Sequence, residues 1–261
     1  MIQFLDMSNH AYRFRITMMV KMASAVLLGV SLSCYFALGE VPLGMASVPK
    51  LKGGVTLDGK LDESIWSKSR ILGPLVENDR GGRAVEITTV RLFFDDQNLY
   101  LGWEIFDRDI QATFVARDSH FWEEEVVEFF LSTASLDRYF ELQWNPIGGV
   151  FDAIIDNKLN SEGKSKGIKG DWDFTAKKMR SMVKVSGTVS DSSNRDDKWT
   201  VEVVIPFADL GVEPPRSGVE WRANFYRFNR GQEVGVEKQS WSPTLDRMFH
   251  QPSRFGVLKF E

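Results

Sequence analysis

Hydrophobic and polar residues alternate along most of this chain with the period of two that belongs to β-strands, so the face each strand turns to a core is readable directly. Thr88 to Phe94 and Leu99 to Phe106 are two such runs, split by Asp95-Asp96-Gln97-Asn98, a four-residue polar hairpin loop. Leu99, Leu101, Trp103 and Ile105 share one side, which favours a core aromatic over a ligand platform for Trp103. The stretch from Arg117 to Ala153 carries the clearest pattern. In its first run Val127, Phe129 and Leu131 oppose Glu128; in its second, Phe140, Leu142 and Trp144 oppose Tyr139, Glu141, Gln143 and Asn145. Val150 to Ile155 predicts another strand. Beyond it Asp156 to Gly170 loses all periodicity and reads as a long surface loop that delivers Trp172. Met182 to Val189, Trp199 to Ile205, Val219 to Arg227 and the closing RFGVLKF alternate again. In the third of these, Trp221, Ala223 and Phe225 oppose Arg222, Asn224 and Tyr226.

Elsewhere the chain shows turns rather than long helices. Asp58-Gly59 marks a turn, Asp62 to Trp66 a short helical turn with Trp66 plugging one end of the core, and PFADLG another short turn after Pro206. Strands at short spacing, hairpin-like loops and no long run of period 3.6 predict an all-β fold: one antiparallel β-sandwich, jelly-roll-like, with short helical turns. There is no internal repeat and no sign of a second domain.

The first 46 residues stand apart. Arg13, Arg15 and Lys21 precede a continuous apolar stretch from Met22 to Leu38, the layout of a secretory signal, and the small residues Gly44 and Ala46 suit a cut before Ser47. The expectation is a leader or N-terminal anchor over 1–46 and an exported domain over 47–261, periplasmic or extracellular. Cys34 is the only cysteine, and Ser31-Leu32-Ser33 before it fit a lipoprotein signal poorly. The mature domain would therefore lack disulfides, cysteine-based zinc sites and a thiol nucleophile.

Charge narrows the partners. Of 261 residues 43% are hydrophobic, enough for one substantial core, and the net charge of -4 offers no concentrated basic surface for nucleic acid. Nor does the mature domain present a membrane-seeking segment. A glycoside hydrolase needs two carboxylates roughly 5–10 Å apart, and Glu123, Glu124, Glu125, Glu128 and Glu141 are available without a motif to select a pair. His120 and His250 sit in no metal or nucleophile pattern. Asp95, Asp96, Asp107 and Asp109 offer hard oxygen ligands for a calcium ion near a sheet end, without EF-hand spacing; no cofactor is required.

Sugar binding fits the inventory best, because sugars pack their C–H faces on aromatic rings and pair their hydroxyls with planar polar groups. There are eight tryptophans. Trp122, Trp172 and Trp241 fall in polar, loop-like contexts, suited to a sugar platform or to anchoring a loop; Trp144, Trp199 and Trp221 alternate with core residues. The candidate polar lining is Arg117 at the head of its stretch, then Glu128, Glu141, Gln143, Asn145, Arg222, Asn224 and Tyr226. A plain solvated sheet face is the alternative.

These segments together resemble a known family. DGKLDESIW, RLFFDDQNLYLGWEIFD, WEEEVVEFFLS, YFELQWNPIGGVFDA, WTVEVVIPFADLG, WRANFYRFNR, WSPT and RFG are similar, in that order, to carbohydrate-binding module family 9 and its relatives, from Val55 to Phe260. The resemblance implies a DOMON-like β-sandwich, a sugar gripped between two tryptophans, bound calcium in some members, and a role beside glycan-degrading enzymes. By position it carries Glu128, Asn145-Pro146, Arg222 and Asn224, with Trp122 and Trp241 first as sandwich tryptophans and Trp172 next. A related haem-binding branch supplies a rival expectation, a non-covalent haem held by two of Met179, Met182, Met248, His120 and His250.

Overall fold

Pairing the alternating runs side by side builds two sheets, and their shared apolar faces decide how the sheets meet. The computed structural model describes residues 41–232 and 234–261. In chain order the strands are β1 (Met45–Val48), β2 (Arg70–Leu72), β3 (Val76–Glu77), β4 (Thr88–Phe94), β5 (Asn98–Phe106), β6 (Val126–Ser132) and β7 (Arg138–Trp144). They continue as β8 (Val150–Leu159), β9 (Ser165–Asp171), β10 (Arg180–Ser186), β11 (Lys198–Pro206), β12 (Glu220–Gly231), β13 (Gly235–Ser240) and β14 (Gly256–Phe260). The first sheet runs β1-β14-β12-β6-β7-β8-β9, with β13 and β3 added beside β12. The second runs β10-β11-β5-β4-β2. Helical pieces among the described residues are short 3-10 turns, such as Phe121–Glu123 and Pro252–Arg254. No described helix is long and apolar enough to cross a membrane.

The protein is thus a β-sandwich. Between the sheets, Val127, Phe129, Leu131, Leu142, Trp144, Trp221 and Phe225 meet Leu99, Leu101, Trp103, Ile105, Trp199 and Val201. Trp103, Trp144 and Trp199 are fully buried there, each contributing roughly 2–3 kcal/mol by leaving water. Trp66 is also fully buried but lies elsewhere than expected: it packs on the outer face of the second sheet with Phe93, and its indole N–H donates to Glu202 Oε1 at 3.1 Å.

Five strands escaped the sequence pattern: the short β1, β2 and β3, and β9 and β13. The segment from 156 to 170, expected as a loop, forms the end of β8, a tight turn and β9. β9 is an edge strand, exposed along most of its length, so its backbone pairing needs no apolar side chains to report it. β13 was missed for the same reason at its exposed N-terminal half. The expected cut before Ser47 falls inside β1, which pairs in parallel with β14 from Met45 onward. The leader reading of residues 1–40 lies outside the described residues.

One topological detail positions the site. β12 is twelve residues long, and one of its edges is shared: β14 takes Glu220 to Ala223, and β13 takes Tyr226 to Gly231. Between those two strands the chain leaves the sheet and crosses its outer face from 241 to 255 before returning as β14.

A tryptophan-walled pocket on the outer face of the first sheet

The polar face read from the sequence is not open to water. The excursion from 241 to 255 and the β5–β6 connection cover much of it, giving a second apolar cluster of Phe121, Val126, Phe130, Tyr139, Phe151, Tyr226, Phe249 and Phe255. Phe249 stacks on Tyr226 with ring centroids 4.1 Å apart, and the Tyr226 hydroxyl donates to Phe249 O at 2.9 Å.

What remains uncovered is a pocket of about 260 Å³ walled by Trp122 and Trp172, with Glu128, Glu141 and Gln143 on its floor. Phe228, Lys238 and Ile168 complete the sheet side; Arg247, Met248, Phe249 and His250 come from the excursion. Sites for drug-sized ligands run about 300–1,000 Å³, so this one suits a single small ring.

Each wall is held by identifiable contacts. The Glu124 carboxylate accepts from the backbone N–H of Thr113 at 2.6 Å and of Phe114 at 3.1 Å, and the Arg230 guanidinium donates to Trp122 O at 2.8 Å. The Trp122 ring stacks on His120 at 4.6 Å and meets Phe151 edge-on at 5.8 Å. Phe151 also packs 5.8 Å from the Trp172 ring, so one phenylalanine lies beside both indoles. Trp172 is 53% exposed and lies across Gly170, where a Cβ would run into its ring. A half-exposed indole in that setting has a free face.

The floor is buried and acidic. Glu128 faces Gln143 across the β6–β7 ladder, and Glu141 follows diagonally one pair on. Glu128 is 2% exposed, and burial first, then the neighbouring Glu141, hold its carboxyl well above the ordinary range, with Lys238 opposing. Burial pushes Glu141 up to about 7, against a hydrogen bond that Gln143 Nε2 donates to it at 2.6 Å. Burial draws His250 down to about 4, keeping it neutral. Asn157 donates to the Tyr139 hydroxyl at 3.2 Å, and that hydroxyl pairs with His250 Nδ1 at 2.7 Å. Nε2 lies 3.9 Å from Glu141 Oε2.

Of the residues singled out for sugar binding, Trp122, Trp172, Glu128, Glu141 and Gln143 therefore meet in one pocket. The other sugar candidates do not line it. Trp241 is partly buried against Phe225 and crowds Gly44 and Gly256 at the β1–β14 end. Tyr226 and Asn224 are fully buried; Asn224 donates to Ser242 O at 2.7 Å and tethers the start of the excursion. Arg222 donates to Phe255 O through Nε at 2.9 Å and tethers its end. Asn145 donates to Phe114 O at 2.7 Å, bracing the loop that carries Trp122. Arg117 pairs with the buried Asp152 at 2.6 Å. The expected polar lining is thus largely the frame that holds the pocket's loops.

The four aspartates proposed for calcium are also separate. Asp95 accepts from Gln97 N, Asn98 N and the Tyr100 hydroxyl, and Asp96 pairs with Lys50 at 2.5 Å. Asp107 takes the Arg227 guanidinium at 2.8 Å, and Asp109 takes Gln232 N and Ser192. Among the described residues no group of three His, Cys, Asp or Glu is placed to hold a metal ion. The haem candidates are likewise dispersed. Met179 packs against the inter-sheet core and Met182 is on β10, while Met248 and His250 lie at the pocket and His120 stacks on Trp122. Sequence reasoning missed Phe228, Lys238, Arg247 and Ile168. Extending the β12 alternation two residues past Tyr226 would have found Phe228.

The family model for carbohydrate-binding family 9 matches residues 85–260. The chain belongs to carbohydrate-binding family 9. Among solved structures, this family 9 chain is similar to a protein from Bacteroides uniformis to which carbohydrate binding has been ascribed. The TM-score is 0.65 at 20% identity, over 84% of this chain and 100% of the other. It is also similar to a family 9 module from Caldicellulosiruptor kristjanssonii in complex with cellotriose, with TM-score 0.56 and 16% identity, covering 83% and 94% of the two chains. The complex of a family 9 module from that organism with glucose gives 0.55 and 16%, over 83% and 96%. At these identities the likeness is one of fold. No curated protein matches the chain.

Proposed function

We propose that this family 9 protein binds carbohydrate in the pocket between Trp122 and Trp172, with a sugar ring stacked on the indoles and its hydroxyls paired to Glu128, Glu141 and Gln143. The observation that carries this is the conjunction of two partly open indoles with a buried floor of hydrogen-bond acceptors in a space the size of one ring. Complexes of family 9 modules with glucose and with cellotriose make glucose and short gluco-oligosaccharides the first ligands to test. The protein acts as an exported binding protein in polysaccharide breakdown; the basic-then-apolar leader in the sequence supports export.

Calorimetric titration with glucose and cello-oligosaccharides tests this. Binding by the intact chain that falls at least about tenfold in both Trp172→Ala and Trp122→Ala supports the platform; binding unaffected by either substitution refutes it. The carboxyl pair favours one second reading, glycoside hydrolysis, since two acids on adjacent strands, both pushed up by burial, share a sugar-sized pocket. Release of reducing sugar by pure protein, abolished in Glu128→Gln, would support that reading instead.

A further inference from the structure

The pocket floor has a one-sided hydrogen-bonding character. Glu128 is shaped by burial and by charge alone, with no protein hydrogen bond to its carboxyl among the described residues. Gln143 is fully buried; its amide nitrogen is used by Glu141, and its Oε1 has no partner. Glu141 Oε2 has only the His250 ring at 3.9 Å. The tyrosines near the floor are engaged elsewhere: Tyr226 donates to Phe249 O, and the Tyr139 hydroxyl is paired with His250 Nδ1. Even with a proton on the acid pair, the floor therefore has more open acceptors than donors and asks for donors.

The charges are equally one-sided. The titratable and charged groups around the two acids are Tyr139 on β7, Tyr226 on β12, Lys238 on β13, and Arg247 and His250 on the excursion. Burial keeps both tyrosines and His250 neutral. That leaves Lys238 and Arg247 as cations, both on the wall. The Lys238 ammonium is already engaged, donating to Arg247 O at 2.6 Å. No protein cation is bonded to either floor carboxyl among the described residues, so a ligand cation would meet two carboxyls that lack a bonded counter-ion.

Resting on the sugar reading of the same pocket, we propose that its preferred ligand is an amino sugar, a hexosamine whose protonated amine sits over Glu128 and Glu141. An ammonium supplies three donors and the missing positive charge, and charge-assisted hydrogen bonds are about twice as strong as neutral ones. A neutral sugar satisfies the donors but not the charge. A uronic acid would set its carboxylate against two carboxyls on the floor. Burial favours the protonated form of both acids in the empty pocket, so arrival of an ammonium shifts the pair toward ionisation and releases proton to solvent, and affinity for the amino sugar rises with pH toward neutrality.

The test is calorimetric titration of the full chain at pH 7 with glucosamine, glucose, N-acetylglucosamine and glucuronate. Titrations are repeated in two buffers of different ionisation enthalpy to count protons. The expected result is glucosamine binding about tenfold tighter than glucose, with proton release, and loss of that advantage on N-acetylation. In Glu128→Gln and in Glu141→Gln, each checked for folding by thermal melting, the ratio of glucosamine to glucose affinity falls toward one. Glucose binding as tightly as glucosamine overturns the amino-sugar inference and leaves the sugar pocket standing. Strongest binding of glucuronate also overturns it, and assigns selectivity to Lys238 and Arg247. Silence toward all four sugars overturns both.

Discussion

The pocket floor and the sealed end of the sandwich both bury carboxyl groups, and they solve the problem in opposite ways. At the sealed end Arg227 is fully buried, donating to Asp107 at 2.8 Å, Glu86 at 3.3 Å and Phe106 O at 3.0 Å. Asn229 adds a bond to Glu86 at 2.9 Å. Burial first, then the neighbouring Asp107, hold the Glu125 carboxyl well above its ordinary range, against the Arg227 charge. There the protein supplies a cation and donors for Asp107 and Glu86. At the floor, Glu128 and Glu141 have neither in full measure. Buried charge that is matched internally serves the fold, whereas buried acid left unmatched beside an opening is arranged for something from outside.

The largest expected effect separates these two regimes directly. Arg227→Met strands Asp107 and Glu86 without their cation and should cost about 3–5 kcal/mol of stability, read from urea unfolding. Glu128→Gln at the floor should cost less than about 1 kcal/mol, or stabilise the fold, because it replaces an acid that has no protein partner to lose with a neutral group of the same shape. If the two substitutions cost the same, the contrast fails.

Next comes the wall. Gly170→Val forces the Trp172 ring out of its place and should weaken sugar binding about as much as Trp172→Ala, yet cost only about 1 kcal/mol or less in stability, since the ring is half exposed. Unchanged binding would mean that the Trp172 position is immaterial.

The pH dependence is smaller and has a definite sign. Glu141 holds its proton up to about pH 7 when folded but only to its ordinary 4.5 when unfolded. Its contribution is fully present below 4.5 and is lost as pH rises toward 7. His250, lowered to about 4 from an ordinary 6.5, acts oppositely: it favours the fold above 6.5 and loses that as pH falls. Between 4.5 and 6.5 the two slopes oppose each other. His250→Gln should unmask the glutamate slope, so that the variant loses stability steadily from pH 4.5 to about 7. A stability that rises with pH in that variant contradicts the account.

The smallest effect is expected where charge is neither buried nor at the pocket. Arg138 and Asp156 form an exposed pair at 2.5 Å on β7 and β8. Arg138→Ala should change stability by less than about 0.5 kcal/mol and leave sugar binding alone.

How far the sequence foretold this depends on what each residue faces. β4, β5, β6, β7, β11 and β12 were legible because one side of each packs in the inter-sheet core, which imposes alternation on Val127 to Leu131 or Leu99 to Ile105. β9 carries no such constraint, so Ser165 to Asp171 looked like loop. At the site, Glu128, Glu141 and Gln143 were readable as one polar side of two strands. Their burial was not, because it is imposed by Phe249 and Phe255 from an excursion over a hundred residues later. Trp122 and Trp172 stood out as aromatics in polar loops. Trp241 had the same local context but sits against Gly44 and Gly256, a contact that only the fold creates.

The decisive experiment on the sugar pocket is a crystal structure of the protein soaked with glucose. A pyranose ring is expected between Trp122 and Trp172, with hydroxyls within hydrogen-bonding distance of Glu128 and Glu141. A sugar seated instead against Trp241, with the pocket holding only water, would contradict it.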